Sequence, residues 1–187
     1  MRDDPVGPVA VVVGRYVVMV GTQPPEMLAH YRSHAAVADE FATQDDRTVS
    51  GYCFVGVKLG LQDWPQLIVS QRFSPAGYGF APGVLVVPET GRLFIGAGTR
   101  LLGYRLDDDG LWQRSFVDEA DVGFLSWRQH GDVVLMAAEL ELAAWTTGGE
   151  KLWRTFVEPP WSYEMVGDDV HLDVMGSRSS FSKRTGP

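Results

Sequence analysis

The chain has 187 residues, of which 45% are hydrophobic and 21% are charged, and its formal net charge is −8. These values are typical of a folded globular protein with a buried core, and they exclude a disordered chain. The acidic balance does not provide the clusters of Lys and Arg that follow a phosphate backbone, so nucleic acid is not an expected partner.

The N-terminal residues MRDD are acidic, whereas a signal peptide begins with basic residues. The apolar run that follows, VAVVVGRYVVMV, is interrupted by Arg15 and is shorter than the ~20 residues that cross a membrane. We therefore expect a cytoplasmic protein with no membrane contact. The chain contains no Asn, two Ile, and three Lys beside thirteen Arg, which is typical of a bacterial genome of high GC content.

Residues 9–75 are predicted to form the N-terminal strands and one helix. Residues 9–21 are dense in β-branched side chains and are split by a Gly-Arg pair, which predicts two strands joined by a tight turn. Residues 25–42 change to a helical period, and two prolines suit the helix start. Five residues line one side of this predicted helix: Met27, Tyr31, Ala35, Ala38 and Phe41.

From residue 48 onward, short apolar segments alternate with turns rich in Gly, Pro and Asp. Segments of this length with such turns predict an antiparallel, mainly β architecture. Cys53, the only cysteine, lies in the apolar stretch GYCFVGV. Without a second cysteine there is no disulfide, and these surroundings predict a small buried side chain.

A unit of about 41 residues occurs twice in the second half of the chain, at 91–116 and 131–156. Each copy contains an apolar strand, a small-residue break, a strand with an aromatic residue, a Gly turn and a Leu-Trp strand. The alignment places Trp153 on Trp112 and Trp145 on Tyr104.

A third, truncated copy follows at 168–186. The alignment sets Val170 against Val133 or Val134, Phe181 against Trp145, and Gly186 against Gly149. One such unit cannot cover its own apolar faces, so the copies are predicted to stack and build a core.

The segments LFIGAGTRLLGYRL…GLW and VLMAAELELAAWTTGGEKLW resemble the repeats of pyrroloquinoline-quinone-type (PQQ-like) and related β-propellers. The resemblance covers residues 80–187 and implies three blade-like repeats, the last one truncated. Together with the N-terminal strands and helix they are predicted to form a single domain of residues 1–187. The chain is shorter than a propeller of six to eight blades. Three arrangements therefore stay open: an incomplete propeller, a derived β-sandwich, or half of an assembly that dimerises through an incomplete blade.

No cofactor is expected. The resemblance would imply PQQ only for a full-length dehydrogenase, and this chain lacks that length and the metal-binding apparatus. The sequence also contains no GxSxG, HExxH or P-loop motif.

His30 and His34 are four residues apart on the predicted helix and are the candidate metal ligands, with Asp39 as a third. The alternative is that both histidines are structural or exposed.

Glu139 and Glu141 alternate in the segment AELELAAW, which predicts that both carboxylates lie on one face of a strand. They would form either a general acid and base pair or the solvated face of an amphipathic strand, and the second interpretation is favoured.

Three tryptophans lie outside the repeat pattern and near turns: Trp64, Trp127 and Trp161. Loop aromatics either clamp the structure or anchor a partner.

The sequence favours a non-catalytic protein-binding module of a bacterial cytoplasmic protein, with an immunity-type protein that binds a basic partner as the specific form. The alternative is a small hydrolase or ligand-binding enzyme that uses the Glu139/Glu141 or His30/His34 pair.

Overall fold

Strands make up most of the protein and form four separate sheets. The computed structural model describes residues 7–43, 50–77, 79–107 and 111–187. The first sheet contains β1 (Val9–Val13), β2 (Tyr16–Gly21), β3 (Val37–Phe41), β4 (Gly51–Leu59) and β5 (Leu67–Phe73). The second contains β6 (Gly83–Val87), β7 (Arg92–Ala97), β8 (Arg100–Arg105) and β9 (Gln113–Glu119). The third contains β10 (Phe124–His130), β11 (Val133–Ala138), β12 (Glu141–Thr146) and β13 (Lys151–Phe156). The fourth contains β14 (Trp161–Val166), β15 (Asp169–Val174) and β16 (Ser177–Ser182).

The second, third and fourth sheets are meanders in which each strand pairs antiparallel with the next strand in the chain. The first sheet follows the same plan through β1, β2, β4 and β5. An insertion between β2 and β4 carries helix α1 (Leu28–His34) and the edge strand β3, which pairs parallel with β5. The predicted mainly β, propeller-like fold of antiparallel blade repeats is confirmed, and the N-terminal third also has the blade layout.

Equivalent backbone hydrogen bonds recur in the repeats. Leu106 N–H donates to Gly91 O, Thr147 N–H to Asp132 O, and Lys183 N–H to Asp168 O, at 2.7, 3.0 and 2.9 Å. Strand register also decides how the third copy of the repeat aligns with the second. Val134 lies opposite Trp145, and Val170 lies opposite Phe181, so Val170 corresponds to Val134 and not to Val133.

The predicted equivalence of Trp153 and Trp112 is wrong. Ala144 pairs with Trp153 in the third sheet, whereas the corresponding Gly103 pairs with Phe116 in the second. Trp153 is therefore equivalent to Phe116, and Trp112 precedes β9. The physical reason is a difference in loop length, because the β8–β9 connection is longer than the β12–β13 connection.

The predicted helix over 25–42 is much shorter. Helix α1 has seven residues, and the backbone of Ala35 is already extended. Val37, Asp39 and Phe41 then alternate along β3 instead of continuing the helix. Pairing satisfies the backbone groups along the edge of β5, and this tertiary gain outweighs the helical pattern. No helix in the described ranges is long and apolar enough to cross a bilayer.

Three hydrophobic clusters join the sheets in chain order. The first lies between the first and second sheets and includes Val55 and Ile95, and the second, around Trp145, joins the second and third sheets. The third joins the third and fourth sheets and includes Leu142 and Val170. Among the described residues no cluster joins the fourth sheet to the first, so the four sheets form an open stack.

The predicted burial of Cys53 is confirmed, because its side chain has no solvent exposure. This burial raises the pKa of the thiol to about 12, so the side chain is a neutral thiol at physiological pH.

The C-terminal residues fasten the third sheet to the fourth. Trp153 Nε1 donates a hydrogen bond to Lys183 O at 2.8 Å. The ammonium group of Lys183 lies 3.3 Å from a carboxylate oxygen of Asp132 and 2.7 Å from one of Asp168, which are equivalent turn residues of the two sheets.

Candidate partner-binding surface

Two of the three tryptophans predicted as partner anchors have structural roles. Trp127, in β10, is 9% exposed and packs against Phe94 and Trp145 at centroid distances of 5.3 and 5.2 Å. It is a core residue, because β10 turns it toward the second sheet. Trp64 is half-buried against α1, with its ring 4.4 Å from that of His30 and 6.1 Å from that of Tyr31. It clamps the helix to the first sheet.

Trp161 lies in an open groove between β10 and β14, with a volume of about 510 Å³. Leu125 of β10 is 41% exposed in this groove. Trp161 and Tyr163 of β14 stack with centroids 6.4 Å apart. The indole Nε1 of Trp161 donates to Glu139 O at 3.0 Å, which fixes the ring across the two sheets. Trp and Tyr are the side chains enriched among the residues that dominate binding energy at protein interfaces, and here a stacked pair of them lies beside an exposed leucine.

The local sequence explains why the groove is open. Val157 N–H donates to Leu140 O at 3.0 Å at the end of β13, and Pro159 and Pro160 then carry the chain to β14 without a backbone donor. Both β10 and β14 are the first strands of their sheets, so each has one edge without a strand partner in the described chain. Edges of this kind accept an added strand.

The groove has a mixed charge. Arg128 and Glu139 both line it, and Arg128 makes no hydrogen bond or ion pair with a described residue. Glu158 is exposed and directly precedes the two prolines. Burial raises the pKa of Tyr163, and the nearby Arg128 offsets part of that rise, so the phenol is protonated at neutral pH.

The predicted Glu139/Glu141 face is wrong. Glu139 lies in the bend between β11 and β12, whereas Glu141 begins β12 and is 1% exposed. The bend breaks the alternation that would put both carboxylates on one face. Glu141 accepts a hydrogen bond from Asp121 N–H at 3.1 Å, and Lys151 Nζ lies 3.9 Å away. Burial nevertheless raises the pKa of Glu141 above its ordinary value.

His30 and His34 are brought together, with their rings 4.3 Å apart, but no third ligand joins them. Asp39 accepts hydrogen bonds from Tyr104 Oη at 2.8 Å and Arg114 at 2.9 Å, between the first and second sheets. The described residues contain no group of three His, Cys, Asp or Glu side chains placed to hold a metal. The histidines instead pack against the Trp64 clamp.

One row on the fourth sheet has the residue types of a hydrolase. Glu164, His171 and Ser180 lie side by side across β14, β15 and β16 on the uncovered face. No hydrogen bond joins them in the described part of the chain, whereas an activated serine needs a bonded base. All three side chains are exposed, and the row gives no support to the hydrolase alternative.

Sequence reasoning missed Leu125 and Tyr163. The segment EPPWSYE contained the relevant signal, because an aromatic pair at i and i+2 of a strand shares one face. Leu125 had no comparable signal, since it becomes a groove residue only through the placement of β10 beside β14.

Half of the net charge lies outside the described residues. Segments 2–4, 45–47 and 108–109 carry six Asp and two Arg, which leaves a net charge of −4 on the described residues. The acidic start of the chain, on which the prediction of a cytoplasmic protein rests, belongs to this undescribed part.

No family model and no curated protein match the chain. Among solved structures, BamB from Moraxella catarrhalis is similar at 16% sequence identity, with a TM-score of 0.46 over 95% of this chain. The chain spans 61% of the length of that structure.

Proposed function

We propose that this protein is a non-catalytic protein-binding module whose groove between β10 and β14 holds an extended segment of its partner. The observation that carries the proposal is the exposed Leu125 beside the stacked Trp161 and Tyr163. Large aromatic side chains supply much of the binding energy at protein interfaces. The free edges of β10 and β14 would pair with the backbone of the bound segment.

The partner is proposed to be basic. Glu139 and Glu158 flank the groove, and the whole chain has a net charge of −8, which would accelerate encounter with a cationic surface. The bacterial, cytoplasmic and immunity-type form of this function is proposed from that charge and from the amino-acid composition. A relation to PQQ-type repeats is likewise proposed, from the Gly and aromatic pattern of residues 80–187.

The test compares two exposed leucines. A partner is captured from a lysate of the source cell with the wild-type protein and purified, and its affinity is measured for Leu125→Arg and Leu61→Arg. Leu61 is fully exposed in the β4–β5 turn, outside the groove, and serves as the control. We expect Leu125→Arg to weaken binding by at least about tenfold, because it puts a charge beside the aromatic anchors, and Leu61→Arg to bind as wild type.

Equal affinities for both variants would contradict the groove assignment. The charge of the partner is tested separately. For a basic partner, the association rate falls as salt is raised from low to physiological ionic strength, and Glu139→Gln reduces that dependence. A rate that does not change with salt would contradict the basic partner and leave the groove assignment in place.

A further inference from the structure

A second concave site lies on the first sheet, away from the groove. It is a cleft of about 370 Å³ on the face of that sheet opposite the second sheet. This volume falls in the range of about 300–1,000 Å³ that small-molecule sites occupy. The cleft is bounded by the chain that leads into α1 and by the ends of β3, β4 and β5. The residues that line it include Pro24, Leu28, Glu40, Tyr52, Ser70 and Arg72.

Strand register brings the polar residues of this cleft together. Tyr52 of β4 lies directly opposite Arg72 of β5. Ser70, two residues before Arg72 on the same strand, lies opposite Glu40 of β3. Residues two apart on a strand share a face, and residues directly opposite have Cβ atoms about 4.5–5.5 Å apart. The four side chains therefore form one patch on the outer face.

Three of these four side chains have unused hydrogen-bond donors. Ser70 is 1% exposed, and its Oγ has no hydrogen-bond partner among the described residues. A buried hydroxyl without a partner is costly, which makes such a group a candidate ligand contact. Neither Tyr52 nor the exposed Arg72 makes a hydrogen bond or ion pair with a described residue.

The acidic residue of the patch does not neutralise Arg72. Glu40 is held in an ion pair by Arg32 of α1, with 3.1 Å between the guanidinium and carboxylate atoms. The cleft thus presents an arginine and two hydroxyl donors from β4 and β5. Pro24 and Leu28, from the chain around the start of α1, provide the apolar part of its lining.

We propose that this cleft binds a small organic carboxylate with an apolar body. The guanidinium of Arg72 matches a carboxylate in charge and planar geometry, and the hydroxyls of Ser70 and Tyr52 donate to the same group. The apolar body of the ligand packs against Pro24 and Leu28. The site is independent of the protein-binding groove.

Titrations of the full-length, isotope-labelled protein followed by amide NMR test the proposal with three probes: benzoate, benzyl alcohol and inorganic phosphate. Benzoate has both the anionic group and the apolar body, whereas each of the others has one of them. We expect saturable shifts with benzoate at amides of residues 24–28, 40–42 and 70–72. An absence of benzoate shifts at tens of millimolar, or equal affinity for benzyl alcohol or phosphate, would overturn the proposal.

Arginine variants separate the cleft from general charge attraction. Arg72→Gln is expected to weaken benzoate binding by about tenfold, because a charge-assisted hydrogen bond is lost. Arg154→Gln, which alters an exposed arginine on β13, is the matched control and is expected to bind as wild type. Equal losses in the two variants would overturn the proposal.

Ser70→Ala distinguishes a ligand-binding role of Ser70 from a structural one, because the two roles affect benzoate affinity and melting temperature differently. Removing an unpartnered buried hydroxyl should leave the melting temperature of the free protein unchanged or higher, while benzoate affinity falls several-fold. A lower melting temperature with unchanged benzoate affinity would show that Ser70 is structural and would overturn its part in the site.

Discussion

The two ends of the sheet stack are finished in different ways. On the outer face of the first sheet, Phe54 and Ile68 have no solvent exposure, and the ring of Tyr31 from α1 stacks on Phe54 at 6.4 Å. On the outer face of the fourth sheet, residues such as Glu164 and His171 are exposed and no element covers them in the described chain. A stack of repeats must hide or avoid apolar surface at its ends. This protein covers one end with an insertion and makes the other end polar.

The sharpest way to break this comparison is to truncate one side chain at each end. Phe54→Ala is expected to lower the free energy of unfolding by about 3–4 kcal/mol, because it removes a fully buried ring beneath α1. His171→Ala, on the polar face, is expected to change it by less than about 0.5 kcal/mol. Urea denaturation of both variants measures the difference. Similar losses of unfolding free energy in the two variants would contradict a covered face at one end and a polar face at the other.

A smaller effect is expected when the clamp on α1 is weakened. Trp64→Ala removes a half-buried ring that touches His30 and Tyr31, and we expect a loss of about 2 kcal/mol, below the range for fully buried aromatic side chains. Hydrogen exchange should accelerate in Leu28–His34 and stay unchanged in β15. Trp64→Phe, which retains a ring, should lie between the alanine variant and wild type. Uniform acceleration across both regions would contradict a local clamp.

The smallest effect concerns pH and the contact between the third and fourth sheets. Burial lowers the pKa of His130 below 6.5, and the charges of Arg128 and Lys183 lower it further. Because the native state favours neutral His130, its contribution to stability is complete above pH 6.5 and is lost as the pH falls through the lowered pKa. Between pH 7.5 and 5, wild type should lose more in melting temperature than His130→Phe, which keeps a ring beside Tyr163. If the melting temperatures of the two proteins fall equally with pH, the titration of His130 does not contribute to stability in this range.

The repeat was predictable because its spacing is fixed by core residues. Val134, Trp145, Val170 and Phe181 lie in or against the hydrophobic clusters, and each pair is matched directly across neighbouring strands. The sequence could not show that Trp153 corresponds to Phe116. Tyr104 lies ten positions before its partner Arg114, whereas Trp145 lies six before Lys151, and loop length is not visible in a strand pattern.

The candidate sites were less predictable because they depend on contacts between distant segments. The apolar residues of 25–42 do recur at helical spacing, but residues 37–41 form a strand because they pair with β5. The Glu139/Glu141 alternation failed at a bend that no turn residue marks. The outer-face cleft is likewise assembled by register, since Ser70 lies opposite Glu40 only once β3 adds to the sheet.

The bond between Trp153 and Lys183 has a consequence for the order in which the chain matures. During synthesis, the indole of Trp153 emerges thirty residues before the carbonyl that binds it. The indole of Trp153, on the outer strand of the third sheet, therefore lacks its hydrogen-bond acceptor until the fourth sheet has been translated and has delivered Lys183 to Asp132 and Asp168. In that interval a nascent chain exposes an aromatic side chain that the complete protein partly covers, and transiently exposed apolar surface of this kind favours aggregation.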